Sequence, residues 1–137
     1  MTTITVYRNP EDAGFFIDTE STGVARLSYK KNRAMSPLMA FEISINKWNI
    51  IMHMHKNLPN RVIRGNGAST CGLCHFFPDM ACTGCPVKAH TGLPNCLESP
   101  YQEWNEDRTY ENAKKERDFL IQLAQEAGFT IEFQEVY

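Results

Sequence analysis

Residues 36–56 read SPLMAFEISINKWNIIMHMHK, and this stretch decides the fold because it predicts a long helix. Ser36 suits the N-cap, and Pro37 suits the first helical position, where a missing N–H costs nothing. Apolar residues then recur at steps of three and four, which predicts an amphipathic helix that ends near Lys56. The predicted apolar face consists of Leu38, Phe41, Ile45, Trp48, Met52 and His55.

The segments on either side of this helix alternate in the manner of strands. On the N-terminal side, TITVYR (residues 3–8), FFIDTE (15–20) and VARLSYKK (24–31) predict three strands in an antiparallel meander. On the C-terminal side, FTIEFQEV (129–136) predicts a last strand, which we expect to pair with the first. A second helix is expected before that strand, with Asn105 or Asp107 as its cap and Gly128 at its end.

These elements predict one α+β domain over residues 1–137, with a small antiparallel sheet, two main helices and a loop-rich segment. Its parts are a β meander (1–35), a helix (36–57), a cysteine-rich loop (61–104) and a helix with a terminal strand (105–137).

The loop-rich segment holds all five cysteines of the chain within CGLCHFFPDMACTGCPVKAHTGLPNC, residues 71–96. Two C-x-x-C pairs supply four thiolates, and four thiolates form the tetrahedral site that Zn²⁺ prefers. We therefore expect a zinc-stapled segment, so that residues 61–104 form a cysteine-rich zinc loop. An iron–sulfur cluster, a redox-active C-x-x-C and a catalytic thiol at Cys96 beside His90 are weaker alternatives. For each of these alternatives, the sequence lacks the cysteine spacing or the neighbouring residues that the chemistry requires.

The odd number of cysteines leaves the ligand set open. Either the two pairs bind the metal and Cys96 is spare, or Cys96 is a ligand and displaces Cys82 or Cys85. The candidate metal ligands are therefore four of Cys71, Cys74, Cys82, Cys85 and Cys96. His53 and His55 are two residues apart, a spacing that turns their rings to different helix faces, so we expect no joint metal site there.

Charge is segregated along the chain, although the net charge is only −2. The middle of the chain is basic and the C-terminal part is acidic, so the middle could bind an anion or could face the acidic part within the fold. The candidate ligand-binding residues are Lys30, Lys31, Arg61 and Arg64.

The N-terminus lacks a basic region followed by an apolar one, and charged or polar residues interrupt every apolar run. We therefore expect no signal peptide, no membrane span and a cytoplasmic location. Cytoplasmic thiols stay reduced, which favours metal binding over disulfides.

Four motifs together resemble a set of small cysteine-motif proteins of bacteriophages and bacteria. They are INKWNIIMH (45–53), STCGLC (69–74), CTGCPVKAHTGLPNC (82–96) and SPYQEW (99–104). The resemblance covers residues 44–104 and implies a structural metal site and a phage or mobile-element context, but no activity. It singles out Trp48, Cys71, Leu73, Cys74, Cys82, Gly84, Cys85, Pro86, Cys96, Pro100, Tyr101 and Trp104. We expect Trp48, Leu73, Tyr101 and Trp104 to pack around the metal loop.

The sequence therefore predicts a zinc-binding accessory protein that docks on a host protein and modulates host machinery or defence. In a phage context, its location is the host cytoplasm. The alternative is a nucleic-acid or nucleotide-binding protein that uses the basic middle segment. An enzyme is less favoured, because the sequence contains no carboxylate pair, no nucleophile with an oriented base and no open three-ligand zinc signature.

Overall fold

The computed structural model describes residues 3–19, 23–29, 37–58, 61–64, 104 and 106–134, and it confirms a small α+β fold. The strands are β1 (Thr3–Val6), β2 (Phe15–Asp18), β3 (Val24–Tyr29), β4 (Val62–Arg64) and β5 (Thr130–Phe133). The two long helices are α1 (Pro37–Asn57) and α2 (Tyr110–Glu126), and a short 3₁₀ helix spans Pro10–Ala13. Side chains from both sheets and both helices form one hydrophobic core.

The five strands form two small sheets. In the first sheet β1 pairs with β5 in parallel, and in the second sheet β3 lies between β2, which is antiparallel to it, and β4, which is parallel to it. The predicted meander is therefore correct for β2 and β3 and wrong for β1. The pairing of the last strand with the first is confirmed. Strand β4 lies inside the predicted cysteine-rich loop (61–104), where no strand was expected.

Helix α1 begins and ends within one residue of its predicted bounds, but its amphipathic character was predicted wrongly. Every residue from Ile43 to Met52 is buried, including the polar Ser44, Asn46, Lys47 and Asn49. The middle of α1 is thus buried on all sides and occupies the centre of the domain rather than its surface. None of the described helices combines the length and the apolarity that crossing a membrane requires.

Two polar side chains of α1 form hydrogen bonds with the backbone of β1 and of the residue that follows it, along the edge that faces away from β5. Asn46 Oδ1 accepts from the Tyr7 N–H at 2.7 Å, and Asn46 Nδ2 donates to the Thr5 carbonyl at 2.9 Å and to the Glu42 carbonyl at 2.8 Å. Glu42 Oε2 accepts from the Thr5 N–H at 3.1 Å. A strand edge without a neighbouring strand needs such partners when it is buried. Residues 42 and 46 are one helical turn apart and therefore act on the same side of α1.

Helix α2 packs against α1, and its buried apolar residues are Ala113, Leu120, Leu123 and Ala124. Its N-cap is Thr109, whose hydroxyl accepts from the Asn112 N–H at 3.2 Å, so the prediction of Asn105 or Asp107 was wrong. Gly128 ends the helix with a φ of 97°, as predicted, because a residue with a Cβ is strained there.

Candidate functional site

The five predicted metal ligands, Cys71, Cys74, Cys82, Cys85 and Cys96, lie outside the described residues, as do Lys30 and Lys31. The zinc site therefore stays a prediction. The structure does describe the chain on both sides of the cysteine segment: β4 ends at Arg64, and Trp104 follows the segment. Among the described residues, no three metal-binding side chains lie close enough together to hold an ion.

Arg108 connects the two ends of the cysteine segment. Its Nη1 donates to the carbonyl of Ile63 in β4 at 3.1 Å, and its guanidinium carbon lies 4.7 Å from the centre of the Trp104 ring. A cation over an indole face is attracted by the negative face of the ring. Ile63 and Trp104, which stand on either side of the cysteine segment in the sequence, thus contact the same arginine.

Trp104 is completely buried, although it follows a long segment with few aliphatic residues. Its ring meets the Trp48 ring of α1 edge to face, with centres 5.0 Å apart and planes at 80°. Its Nε1–H donates to Nε2 of His55 at 2.9 Å. We call Trp48, His55, Trp104 and Arg108 the Trp104 cluster. Trp48 and Trp104 pack against each other in it, and their packing around the metal loop stays a prediction.

His55 is neutral in this arrangement, because its Nε2 must carry a lone pair to accept the indole N–H. Burial and then the nearby positive charge of Arg108 lower the pKa of His55 below its usual value of 6.5. Both causes disfavour the imidazolium, as the hydrogen bond requires. His55 is thus a histidine at the core edge, as predicted, and its partner was not foreseen. His53, two residues earlier, is exposed.

The lowered pKa of His55 predicts that acid weakens the folded state. Well above pH 6.5 the histidine is neutral in both the folded and the unfolded chain, and the free energy of unfolding has its full value. As the pH falls below 6.5, the unfolded chain binds a proton first, so stability falls until the pH reaches the lower pKa of the folded state. In the His55→Gln variant the new amide can still accept the Trp104 N–H but cannot titrate. This variant should therefore lose less stability than the wild type when urea unfolding is compared at pH 7 and pH 5.

The Trp104 indole N–H signal in an NMR spectrum provides the control for this experiment. We expect this signal to shift with pH in the wild type and to remain constant in His55→Gln. Equal acid sensitivity of the two proteins would contradict the role given to His55.

Arg61, one of the predicted ligand-binding residues, makes contacts within the fold. Its Nη1 donates to the carbonyl of Thr19 at 2.9 Å and to the carbonyl of Val24 at 3.1 Å. These bonds attach the start of β4 to the chain that connects β2 and β3. Arg64 lies in β4, beside Arg26 of β3. The ligand-binding prediction for Arg61 and Arg64 is not tested by these contacts, which give Arg61 a structural role.

Comparison of the chain with protein-family models, with curated proteins and with solved structures found no match.

Proposed function

We propose that the protein is a zinc-binding accessory protein whose cysteine segment forms a surface for docking on another protein. The observation that supports this most is that Arg108 contacts both Ile63 and Trp104, which flank the segment. The core already holds the two ends near each other, so folding of the core offsets the entropic cost of closing this long loop. A metal site within the segment then needs to order only the loop itself.

The chemistry of the segment favours zinc for that task. Two C-x-x-C pairs and a fifth cysteine lie between residues 71 and 96, and four thiolates complete a closed tetrahedral site. A closed site has no open position for a substrate, so its role is structural. The Trp104 cluster supports the ends of the segment from inside the core, which leaves the segment itself as the surface offered to a partner.

The resemblance to cysteine-motif proteins of bacteriophages and bacteria suggests the kind of partner. A phage-encoded protein of this type would act in the host cytoplasm, and its partner would be a host protein of the machinery or defence that it modulates. The alternative partner is a nucleic acid or nucleotide that contacts the basic middle segment, including Lys30, Lys31 and Arg64. The hydrogen bonds that Arg61 donates to Thr19 and Val24 weaken this alternative.

The metal content of five single Cys→Ser variants tests the zinc proposal and identifies the ligands. We expect one zinc per chain in the wild type, loss of zinc in four variants and full zinc in the fifth, because a tetrahedral site uses four thiolates. The variant that keeps its zinc is the matched control, since it removes a thiol without removing a ligand. Zinc retained in Cys96→Ser would make Cys96 the spare thiol. Zinc retained in all five variants would contradict the proposal.

Capture by the zinc-loaded chain tests the class of partner, with a zinc-free Cys→Ser variant as the control. A host protein that binds the loaded chain and not the variant supports the proposal. Nucleic acid whose binding weakens steeply between about 50 and 200 mM salt would favour the alternative, because phosphate contacts release counterions. Binding of neither would contradict both docking functions.

A further inference from the structure

A cleft of about 590 Å³ opens between the C-terminal half of α1, the chain that follows β1 and the end of β5. This volume is in the range of cavities that hold small organic molecules. The cleft lies apart from the Trp104 cluster, and none of the residues of that cluster lines it. Its wall combines aliphatic and methionine side chains of α1 and β1 with polar and charged side chains, among them Arg117.

Arg117 of α2 is the most buried cation of the cleft, with 13% of its side chain exposed. Its Nη1 donates to Asn49 Oδ1 at 2.9 Å, and its Nε and Nη2 donate to Asp118 Oδ1 at 3.1 and 3.0 Å. A guanidinium has five N–H groups. These three bonds therefore leave one N–H on each Nη without an acceptor in the described part of the chain.

The position of the guanidinium is fixed by its neighbours. Its carbon lies 5.5 Å from the centre of the Phe133 ring, and Asn49 and Asp118 hold its nitrogens from the sides. A guanidinium fixed in this way loses little freedom when it binds a ligand. Phe133 is half exposed at the end of β5 and gives the cleft an aromatic wall.

The charges at the cleft favour an anion. Arg8 and His53 line it together with Arg117, whereas no carboxylate is among its described lining residues. Asp118 offsets part of the charge of Arg117, but its side chain is half exposed, so water screens it. Partial burial of the ring, followed by the positive charges of Arg117 and Lys56, lowers the pKa of His53. The groups that act on this imidazole are thus cations.

We propose that this cleft binds a small organic carboxylate, with the carboxylate on Arg117 and an apolar body against Phe133 and the methionines of α1. The two remaining N–H groups of Arg117 match the two oxygens of a carboxylate, which arginine binds as a pair. The residues that carry this proposal lie outside the cysteine segment in the sequence, so the proposal does not rest on the proposed zinc.

Titration of the full-length protein, followed by NMR, tests the proposal with phenylacetate and hexanoate as probes. Their neutral amides, phenylacetamide and hexanamide, are the matched controls. We expect saturable shifts at the Arg117 Nε–H and the His53 ring, and binding of the carboxylates about tenfold tighter than that of the amides. Saturation with carboxylate should also raise the pKa of His53, because a bound anion stabilises the imidazolium.

Arg117→Gln should weaken carboxylate binding by about tenfold, whereas Lys114→Gln, one turn earlier on the exposed side of α2, should leave it unchanged. If Arg117→Gln does not fold, His53→Gln at the exposed rim serves instead and should abolish the proton uptake that accompanies binding. No saturable shift with either carboxylate would overturn the proposal. Equal binding of the amides, or full carboxylate binding by the Arg117 variant, would overturn it as well.

Discussion

Replacing Trp104 with alanine is expected to lower the free energy of unfolding by about 3–5 kcal/mol, the usual cost of truncating a fully buried tryptophan. Trp104 has no exposed surface and packs edge to face on Trp48. The alanine variant loses this packing and leaves His55 Nε2 without its indole donor. It also removes the ring beneath Arg108, so the contact that joins the two ends of the cysteine segment is weakened.

Urea unfolding of three variants separates these contributions. Trp104→Phe keeps an aromatic ring and loses the indole N–H, and we expect a loss of about 2 kcal/mol. Phe16→Ala is the control, because Phe16 is also aromatic but 41% exposed, and its loss should be about 1 kcal/mol or less. A Trp104→Ala variant as stable as Phe16→Ala would show that Trp104 does not anchor the segment to the core.

Replacing Asn46 with alanine is expected to cost about 3 kcal/mol. The amide makes three hydrogen bonds in the core, to Tyr7, Thr5 and Glu42. A typical bond contributes about 1 kcal/mol, and a buried backbone group left without a partner costs about 1–3 kcal/mol. Asn46 is 1% exposed and α1 packs against β1, so we expect no other group to replace the lost bonds.

Asn57→Ala is the matched control for Asn46→Ala, since Asn57 ends the same helix and is exposed. We expect it to change the free energy of unfolding by about 0.5 kcal/mol or less in urea titrations. Equal losses for the two asparagines would contradict the role of Asn46 in holding β1 against α1.

Local sequence pattern was sufficient to predict where most helices and strands lie. Pro37 and the apolar spacing located α1, and the alternation after Gly128 located β5. The environment of α1 could not be predicted in this way. Asn46 and Asn49 look like solvent-facing positions in the sequence, and they are buried because β1 and Arg117 supply their hydrogen-bond partners. Those partners are distant in sequence.

Strand pairing was predicted only in part, for the same reason. The antiparallel pair β2–β3 is local, whereas the parallel pairs β1–β5 and β3–β4 depend on the helices that intervene in the chain. The N-cap of α2 was missed although Thr109 stands directly before Tyr110. A threonine immediately before a helical pattern is itself a cap signal, and it could have been preferred to Asn105 and Asp107.

The residues of the candidate site were predicted unevenly. His55 was placed on the apolar face of α1. Trp48 and Trp104 were expected to pack around the metal loop, but their direct contact was not foreseen, and the link through Arg108 had no sequence signal. The cleft around Arg117 was not predicted at all. Its side chains come from α1, α2, β5 and the chain after β1, and only the fold brings them together.

Metal content and thiol reactivity, measured on the same sample of native protein, test the central claim most directly. The proposed site predicts one zinc per chain, with four of the five cysteines protected from a thiol reagent until a chelator removes the metal. A metal-free protein, or five cysteines that react at once without a chelator, would contradict the claim that zinc holds the cysteine segment.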